Sequence, residues 1–509
     1  MVASRKDTSK TVWGGRMRSE PSLINIQYCA GRDPLTKPAA DELLIPYDIW
    51  VNKVHSLMLF KQGIIDKKTA ASILRALEEI AGLYRNGTFH VEKEKEDVHI
   101  SLESRVARLA GEFAAGCLHT GRSRNDQTTT DCRLYIRDRI LEFYSRLLKL
   151  VETILSVASD HTKTVMPGFT HYQPASLTSF GHFLISHAES MMRDLTRTGM
   201  TYEQWNTSPL GAAAGFGTSW DLDREYSARL LGFTSLQENS LDCITNRWEY
   251  ETQVALCLAI FMNHLSILSQ DLIFLSLEPR PMIEIDDAYV TGSSIMPQKR
   301  NPDFAEVTRA RAASCHGLTM QLLSLSKGAL SGYNRDTQWT KYAAIDLFDE
   351  IRFAPIVFSG VLSTLKVNAE EMADRCNRNF ITAVDIADYI AQKKGLPFRA
   401  SYKIVSEVVL ECEKRGKLAL DKLNRRLMKL GKKNLKLRQT EWAMLCSPAR
   451  LLERKKHAGA PGPQSLKNNL GRLKKELKTK NGWYKQKQQQ QDSAHRLLRD
   501  EINKITGGK

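Results

Sequence analysis

The chain has 509 residues, of which 42% are hydrophobic and 26% charged, and its formal net charge is +16. This length and composition are typical of a soluble globular protein with two or three domains, and they exclude a disordered or fibrous chain. The nine cysteines show no metal-ligand spacing, and the polar amino terminus lacks the apolar segment of a secretion signal. We therefore expect reduced thiols, a cytoplasmic location and no structural metal.

Long amphipathic helices dominate the predicted secondary structure. Apolar residues recur at alternating four- and three-residue steps from Ile136 to Val157, and this spacing places one apolar stripe along a bundle helix. Similar patterns recur in 181–204, 249–277 and 304–325. The most apolar stretch, 255–277, is interrupted by polar residues, so it is interpreted as a buried helix rather than a membrane span. We predict an all-α fold.

Composition shifts divide the chain into four predicted parts. They are a helical N-terminal domain (1–121), a central bundle of long helices (122–373), a C-terminal helical domain (374–460) and a basic tail (461–509). From Leu466 to Lys509 there are 12 Lys or Arg and four Asp or Glu. We expect this tail to be a solvated segment or a fraying helix, with nucleic-acid binding as the alternative.

Two clusters of polar residues flank the first long helix. The cluster at 119–127 contains Arg122, Ser123, Arg124 and Asn125. Guanidinium groups and the N–H groups of a helix start both bind carboxylates, so this cluster is a candidate anion site. The cluster at 167–173 is predicted to be a turn leading into a helix, and it places the hydroxyl of Thr170 beside the imidazole of His171.

A third cluster is the loop from Gly292 to Pro302, with the sequence GSSIMPQKRNP. A glycine, two hydroxyls, a lysine and an asparagine in one loop suit an enzyme that removes a proton from an anionic substrate and stabilises the resulting charge. Taken singly, the three clusters have structural interpretations as helix caps or ion pairs, a core histidine and a flexible surface loop.

Together, the three clusters resemble the signature regions of the fumarase/aspartase superfamily, and within it the argininosuccinate lyase family is most similar. The motifs are WGGR at 13–16, EDVH at 96–99, HTGRSRNDQ at 119–127, PLG at 209–211, TGSSIMPQKRNPD at 291–303, GYNRD at 332–336 and DIADY at 385–389. The resemblance implies a three-domain all-α protomer assembled as a homotetramer. Each active site would be shared by three subunits.

The resemblance also implies a carbon–nitrogen lyase that eliminates fumarate from an N-succinyl amine, a small di- or tricarboxylate, without cofactor or metal. Ser293 would be the general base, activated by Lys299. His171, oriented by Glu306, would protonate the departing nitrogen. The remaining implied substrate-binding residues are Arg122, Ser123, Arg124, Asn125, Thr170, Ser294, Met296 and Asn301 on the succinyl side, and Tyr333, Gln338 and Lys341 on the amine side.

The amine side departs from the family pattern. Lys37 stands where these enzymes usually have a serine that contacts the arginine part, and Trp248 and Trp339 replace acidic residues. A guanidinium favours neighbouring carboxylates, whereas Lys37 suits an amine that itself carries carboxylates. The alternatives are therefore argininosuccinate, favoured because Tyr333 and its partners are retained, an aminopolycarboxylate of the ethylenediamine-disuccinate or aspergillomarasmine type, and a non-catalytic crystallin-like role.

Overall fold

The computed structural model of the protein describes Ser22, Ile24 and residues 39–92, 97–431 and 433–507. Its α-helices are α1 (Ile45–Lys61), α2 (Lys67–Arg85), α3 (Val98–Ala110), α4 (Glu112–Leu118), α5 (Arg124–Asp160), α6 (Phe180–Trp205), α7 (Arg224–Leu230), α8 (Ser240–Thr245), α9 (Arg247–Leu275), α10 (Asp303–Leu325), α11 (Thr340–Ile351), α12 (Ala354–Thr364), α13 (Ala369–Arg375), α14 (Ala383–Lys394), α15 (Phe398–Cys412), α16 (Leu420–Met428), α17 (Gln439–Leu445), α18 (Pro448–Arg454) and α19 (Pro463–Thr506). Short 3₁₀ helices lie at Ala40–Leu43, Asp287–Tyr289, Arg335–Trp339, Glu413–Arg415 and Lys433–Leu435.

In the ranges that the structure describes, six short strands accompany the helices as three two-stranded pairs. They are β1 (Val165–Thr170) with β2 (Gln173–Ser179), β3 (Thr207–Ser208) with β4 (Ser235–Leu236), and β5 (Ile283–Glu284) with β6 (Lys366–Val367). The first and third pairs are antiparallel and the second is parallel. The fold is therefore predominantly helical, as predicted.

The long helices α5, α6, α9 and α10 form the central bundle. Helix α9 packs along α10 and α6, and α6 also packs along α5. Of the stripe predicted in α5, Ile140, Leu147 and Ile154 are completely buried. The alternating four- and three-residue spacing therefore gave the correct buried face of this helix.

Two main hydrophobic cores lie in the described ranges. The larger core joins α1–α3, the central bundle and α19, and the smaller one lies mostly between residues 376 and 452. Val165 and Leu177, from the β1–β2 hairpin, belong to the smaller core. The hairpin is therefore packed against the C-terminal helices. The eight cysteines in these ranges are free thiols, as expected.

The predicted solvated tail is instead a packed helix of 44 residues. Leu466, Leu470 and Leu473 are buried at four- and three-residue steps. The same spacing recurs at Leu498, Ile502 and Ile505. Helix α19 packs mainly along α5 and α2. The expectation of a solvated tail was wrong because a basic composition hid these short apolar stripes, which supply one buried face.

The segment 167–173 is also different from its prediction. It forms most of the tip of the β1–β2 hairpin, and the helix begins only at Phe180. Pro167 and Gly168 interrupt the strand pattern in the sequence, and the register shifts between Gly168 and Phe169. Such interruptions are tolerated in an edge strand or at a bulge, so they conceal a hairpin.

Helix α9 is long and apolar enough to span a membrane by length and composition, with a mean hydropathy of 1.5, but 56% of its most apolar window is buried inside the protein. A core helix passes the same test. The burial agrees with the interpretation of 255–277 as a bundle helix, although several of its apolar side chains remain exposed.

Candidate active site

The first cluster lies at the amino terminus of α5. Ser123 is the N-cap, and its Oγ accepts a hydrogen bond from the backbone N–H of Asn125 at 3.2 Å. The Asp126 carboxylate accepts one from the N–H of Ser123 at 3.0 Å and completes a capping box. The first turn of a 37-residue helix therefore stands beside Ser123 and Asn125, and its N–H groups favour a bound carboxylate.

Asp126 is a positioning residue that the sequence analysis did not single out. Its other carboxylate oxygen accepts hydrogen bonds from the N–H groups of Gly211 and Ala213, both at 2.9 Å. Asp126 is completely buried, and burial raises its pKa to about 6 although these N–H groups oppose the shift. The spacing Ser123-x-x-Asp126, a capping-box pattern, was the available signal.

The two arginines of the first cluster point in different directions. Arg124 is exposed and its Nη1 lies 3.1 Å from Asp97 Oδ2. Arg122 is buried and donates a short hydrogen bond to the Asn52 side chain. Burial lowers the pKa of Arg122, while Asp48 raises it. The structure thus places Arg124 at the surface of the predicted site and Arg122 beneath it.

Beneath Arg122 lies a buried cluster of Asp48, His99 and Asp131, whose side-chain oxygen and nitrogen atoms lie within 4.8 Å of one another. His99 Nδ1 is 3.0 Å from Asp48 Oδ1, and Gln127 donates to the same oxygen at 2.5 Å. Burial and the neighbouring Asp48 raise the pKa of Asp131 well above its usual range. Gln127 and Asp131 belong to α5, Asp48 to α1 and His99 to α3, so this cluster ties the first turns of α5 to the N-terminal helices.

The predicted amine-side residues lie at the end of the bundle where α5 begins. Lys341, at the start of α11, forms a short ion pair with Asp41, and Asp41 Oδ2 accepts a hydrogen bond from the N–H of Val98 at 3.2 Å. Tyr333 packs against a small core that includes Ile244, and Gln338 is half-buried. The sequence analysis did not single out Asp41, because its partner Lys341 is 300 residues away in the chain. Lys37 and the WGGR motif at 13–16 lie outside the described residues.

His171 and Tyr172 form the tip of the β1–β2 hairpin. Their φ angles are 53° and 60°, and Thr170 pairs directly with Gln173, so the two residues make a turn in which both central positions are left-handed. Glycine and asparagine usually occupy such positions, and strained non-glycine residues concentrate at functional sites. The Phe169 ring stacks edge-on against Phe274 with centroids 4.8 Å apart, which anchors the hairpin on α9.

The third cluster is a loop closed at its base. The backbones of Thr291 and Asn301 exchange hydrogen bonds of 3.0 and 2.8 Å, and Asn301 Nδ2 donates to Gly292 O at 3.2 Å. Arg300 donates to Glu284 at 2.9 Å and to Asp287 at 2.5 Å. The sequence analysis did not recognise this anchoring role of Arg300, because neither partner lies in the loop.

Within this loop, Ser293 Oγ accepts a hydrogen bond from the backbone N–H of Met296 at 3.0 Å, with a longer one of 3.4 Å from Ile295. N–H groups that point at an oxygen stabilise its ionised form and lower the pKa of the hydroxyl. The side chains of Ser294, Met296 and Lys299 are exposed on the same loop. The loop therefore carries a hydroxyl that accepts backbone N–H groups and, three residues beyond Met296, an exposed lysine.

The loop and the hairpin flank the carboxyl end of α9 but face different cavities. A cavity of about 710 Å³ is lined by Lys299, Asn301 and Glu306, and another of about 750 Å³ by His171 and Tyr172. The expected pairing of Glu306 with His171 is thus not formed inside one cavity of a single chain. That pairing stays a prediction for the assembled protein.

The first cluster is far from the other two within one chain. Helix α5 has 37 residues, which at ~1.5 Å per residue make a rod about 55 Å long. The hairpin follows its far end, and the seven residues of β2 span only about 24 Å. His171 therefore cannot fold back to Asn125 in the same chain, so a site that uses both must draw on neighbouring chains.

Known families match both the main part and the C-terminal domain of this chain. The model of the Lyase family matches residues 28–317, and that of the argininosuccinate lyase C-terminal domain matches residues 380–439. The argininosuccinate lyase of Desulforamulus reducens is 36% identical over 472 residues, which cover 92% of this chain and 99% of that protein. The Clostridium beijerinckii enzyme is 38% identical over 408 residues, covering 80% and 86%.

Solved structures show the same fold. An EDDS lyase in complex with formate superposes with a TM-score of 0.85 at 26% identity, covering 96% of this chain and 97% of that one. The class II fumarase of Schistosoma mansoni gives a TM-score of 0.67 at 16% identity, covering 85% and 95%. The second similarity concerns the fold alone, which is the long-helix bundle.

Proposed function

This chain belongs to the argininosuccinate lyase family, and from that membership we propose that it cleaves argininosuccinate into arginine and fumarate as a carbon–nitrogen lyase. One observation carries the proposal: the similarity to an argininosuccinate lyase extends over nearly the whole of both chains. We further propose that the protein works in the cytoplasm, because the thiols in the described ranges are free.

The first step of the proposed reaction is removal of a proton from the carbon next to a carboxylate. Ser293 is the base, and the N–H of Met296 and the Lys299 ammonium stabilise its ionised form. The charge left on the substrate collects on that carboxylate as an aci-carboxylate. Asn301 and Lys299 bind this group, and Ser123, Asn125 and the N-terminus of α5 bind the other succinyl carboxylate.

In the second step the carbon–nitrogen bond breaks and the amine leaves with a proton from His171. Glu306 orients the imidazole. Lys341 and Tyr333 bind the amine side in this proposal, and Asp41 holds Lys341 in place through their ion pair.

The protein works as a homotetramer in this proposal, and an exposed apolar surface supports it. On α9, Leu256, Ile260 and Ile267 are 42%, 38% and 57% exposed, and on α10 Met320 is 60% exposed. These positions follow the heptad-like spacing of interhelical seams, and a large exposed apolar surface marks a protein–protein contact. The small residue Gly317 on α10 permits close helix approach.

The test is release of fumarate from argininosuccinate, followed by its ultraviolet absorbance. In the reverse direction, fumarate is incubated with arginine, ethylenediamine, aspartate, diaminopropionate or ammonia. We expect turnover of argininosuccinate. In the reverse direction, we expect fumarate to be consumed with arginine and with none of the other four amines. Absence of turnover in both directions with every partner would rule out the lyase activity. The crystallin-like alternative would then remain.

A second candidate is an aminopolycarboxylate lyase, which the similarity to EDDS lyase over 96% of this chain favours. Fumarate consumption with ethylenediamine or aspartate, but not with arginine, would select this candidate. The loop chemistry is identical in the two cases, because both reactions release fumarate from an N-succinyl amine.

A further inference from the structure

A polar cavity of about 560 Å³ lies between the β1–β2 hairpin and the C-terminal domain. One wall is formed by hairpin residues including Ser176, and the other by α14 and the end of α18. Its volume falls within the ~300–1,000 Å³ of small-molecule sites. The tip residue His171 does not line this cavity, but it lines a neighbouring one, and the two cavities share the wall residues Gly168, Phe169, Thr178 and His182.

Six titratable side chains line this cavity. They are Asp385 and Asp388 from α14, Arg454 at the end of α18, the following Lys455, and the imidazoles of His182 and His457. Lys455 Nζ lies 3.4 Å from Asp385 Oδ1 and also donates to Ser176 Oγ at 3.1 Å. These contacts tie the hairpin to the C-terminal domain. Lys455 is thereby occupied, so one guanidinium and one further carboxylate remain for a ligand.

The second oxygen of Asp385 indicates what the cavity binds. The Asp385 side chain is only 10% exposed, and its Oδ2 is buried without a hydrogen-bond partner among the described residues. A buried acceptor without a donor costs free energy, so it is an attachment point for an N–H group. Burial raises the pKa of this carboxyl, and Lys455 opposes the shift.

The opposite charge is offered by Arg454. Its side chain stacks over the Tyr389 ring at 5.0 Å and donates to Gln392 at 3.3 Å, which holds the guanidinium at the cavity wall. A guanidinium with N–H groups to spare binds a carboxylate well. The apolar side chains of Phe169 and Leu177 also line the cavity.

We propose that this cavity is a binding site for a free α-amino acid in its zwitterionic form. The ammonium group is bound by Asp385 Oδ2 and Asp388, the carboxylate by Arg454, and the side chain by the hairpin wall. A bound amino acid would hold the hairpin against the C-terminal domain. Because the hairpin carries Thr170 and His171, the site can transmit amino-acid levels to the proposed active site.

The test is isothermal titration calorimetry of the full-length Ser293→Ala protein with arginine, lysine, glutamate and leucine, so that turnover does not contribute. We expect at least one of them to bind once per chain. The same compound lacking its ammonium or its carboxylate should bind at least about tenfold more weakly. Hydrogen exchange of the β2 amides should slow when the amino acid is bound.

Variants then locate the binding. Asp388→Asn and Arg454→Gln should each weaken it at least about tenfold. The matched changes Asp421→Asn and Arg425→Gln, at an exposed ion pair on α16, should leave it unchanged. The proposal is overturned if no amino acid binds, or if both cavity variants bind as tightly as their controls. Neither result would bear on fumarate release, which is measured separately.

Discussion

Ser293 is the residue on which the proposed chemistry depends. Its Oγ already accepts the N–H of Met296 at 3.0 Å, so the loop has the geometry that stabilises an ionised hydroxyl before substrate binds. We expect Ser293→Ala to lower kcat by roughly 10²–10⁴-fold while the mass of the assembly is unchanged. The control is Ser406→Ala, an exposed serine of the C-terminal domain. A Ser293→Ala enzyme with a near-normal steady-state rate would remove this hydroxyl from the base role.

Asp126 gives a second residue-scale prediction. Burial raises its pKa in the folded protein to about 6, against ~3.9 in the unfolded chain. The folded state therefore holds this proton more tightly, so the contribution to stability is greatest below pH ~4 and is lost as the pH rises to about 6. The change is on the order of 3 kcal/mol.

Urea unfolding of the wild type and of Asp126→Asn across this pH range measures the effect. As the pH rises from 4 to 6, the free energy of unfolding of the wild type should fall relative to that of Asp126→Asn. Asp160→Asn, at the exposed end of the same helix, should follow the wild type. Parallel pH profiles for all three proteins would show that Asp126 does not titrate in this way.

The residues of the candidate site could be predicted from motifs in the sequence, but the residues that position them could not. Ser293 and His171 stand in motifs that identify them, whereas the support given by Arg300 and Asp126 depends on partners elsewhere in the chain. Contacts of long sequence separation leave no periodic signal. Arg122 shows the converse, since its motif suggested a ligand residue and the structure buries it against Asn52.

At the scale of elements, the long bundle helices were predictable because each repeats its apolar positions over many turns. The hairpin was not, because its turn uses His171 and Tyr172 at positive φ instead of the usual glycine or asparagine. Packing around this tip, including the contact of Phe169 with Phe274, compensates for its strained backbone. The sequence pattern thus failed where the proposed function requires an unusual backbone.

Helix α19 gives an element-scale prediction. Leu473 is 1% exposed and belongs to the main core, whereas the next residue, Lys474, is exposed. Leu473→Ala should lower the free energy of unfolding by about 2–5 kcal/mol, because it removes buried methyl groups and leaves a cavity. Lys474→Ala should change it by less than about 0.5 kcal/mol. Equal denaturant midpoints for the two variants would mean that α19 is not packed as described.

At the scale of the whole molecule, one chain carries the three clusters but cannot bring them together. The hairpin follows the carboxyl end of α5, and Ser123 and Asn125 lie at its amino end, while the helix between them is about 55 Å long. In the proposed tetramer, the exposed apolar positions of α9 are the surface through which neighbouring chains complete the site. Symmetric association of identical chains is the usual way to do so.

The apolar surface of α9 can be tested directly by mutation. Ile260→Asp places a charge on this surface, so we expect the assembly to dissociate from four times the 57.6 kDa chain mass to smaller species in sedimentation velocity. The control is Leu410→Asp, because Leu410 is 73% exposed on α15 in the C-terminal domain. An undisturbed assembly in the first variant would exclude this surface from the interface.

Activity in mixed assemblies tests the central claim most directly. Ser293→Ala and His171→Asn are each expected to be nearly inactive. The two proteins are mixed in equal amounts and allowed to exchange subunits. If every site takes its serine and its histidine from different chains, one half times one half, or about one quarter, of the sites receive neither lesion. The account predicts recovery of about a quarter of the wild-type rate of fumarate release. No recovery, with subunit exchange confirmed by mass spectrometry, would contradict it.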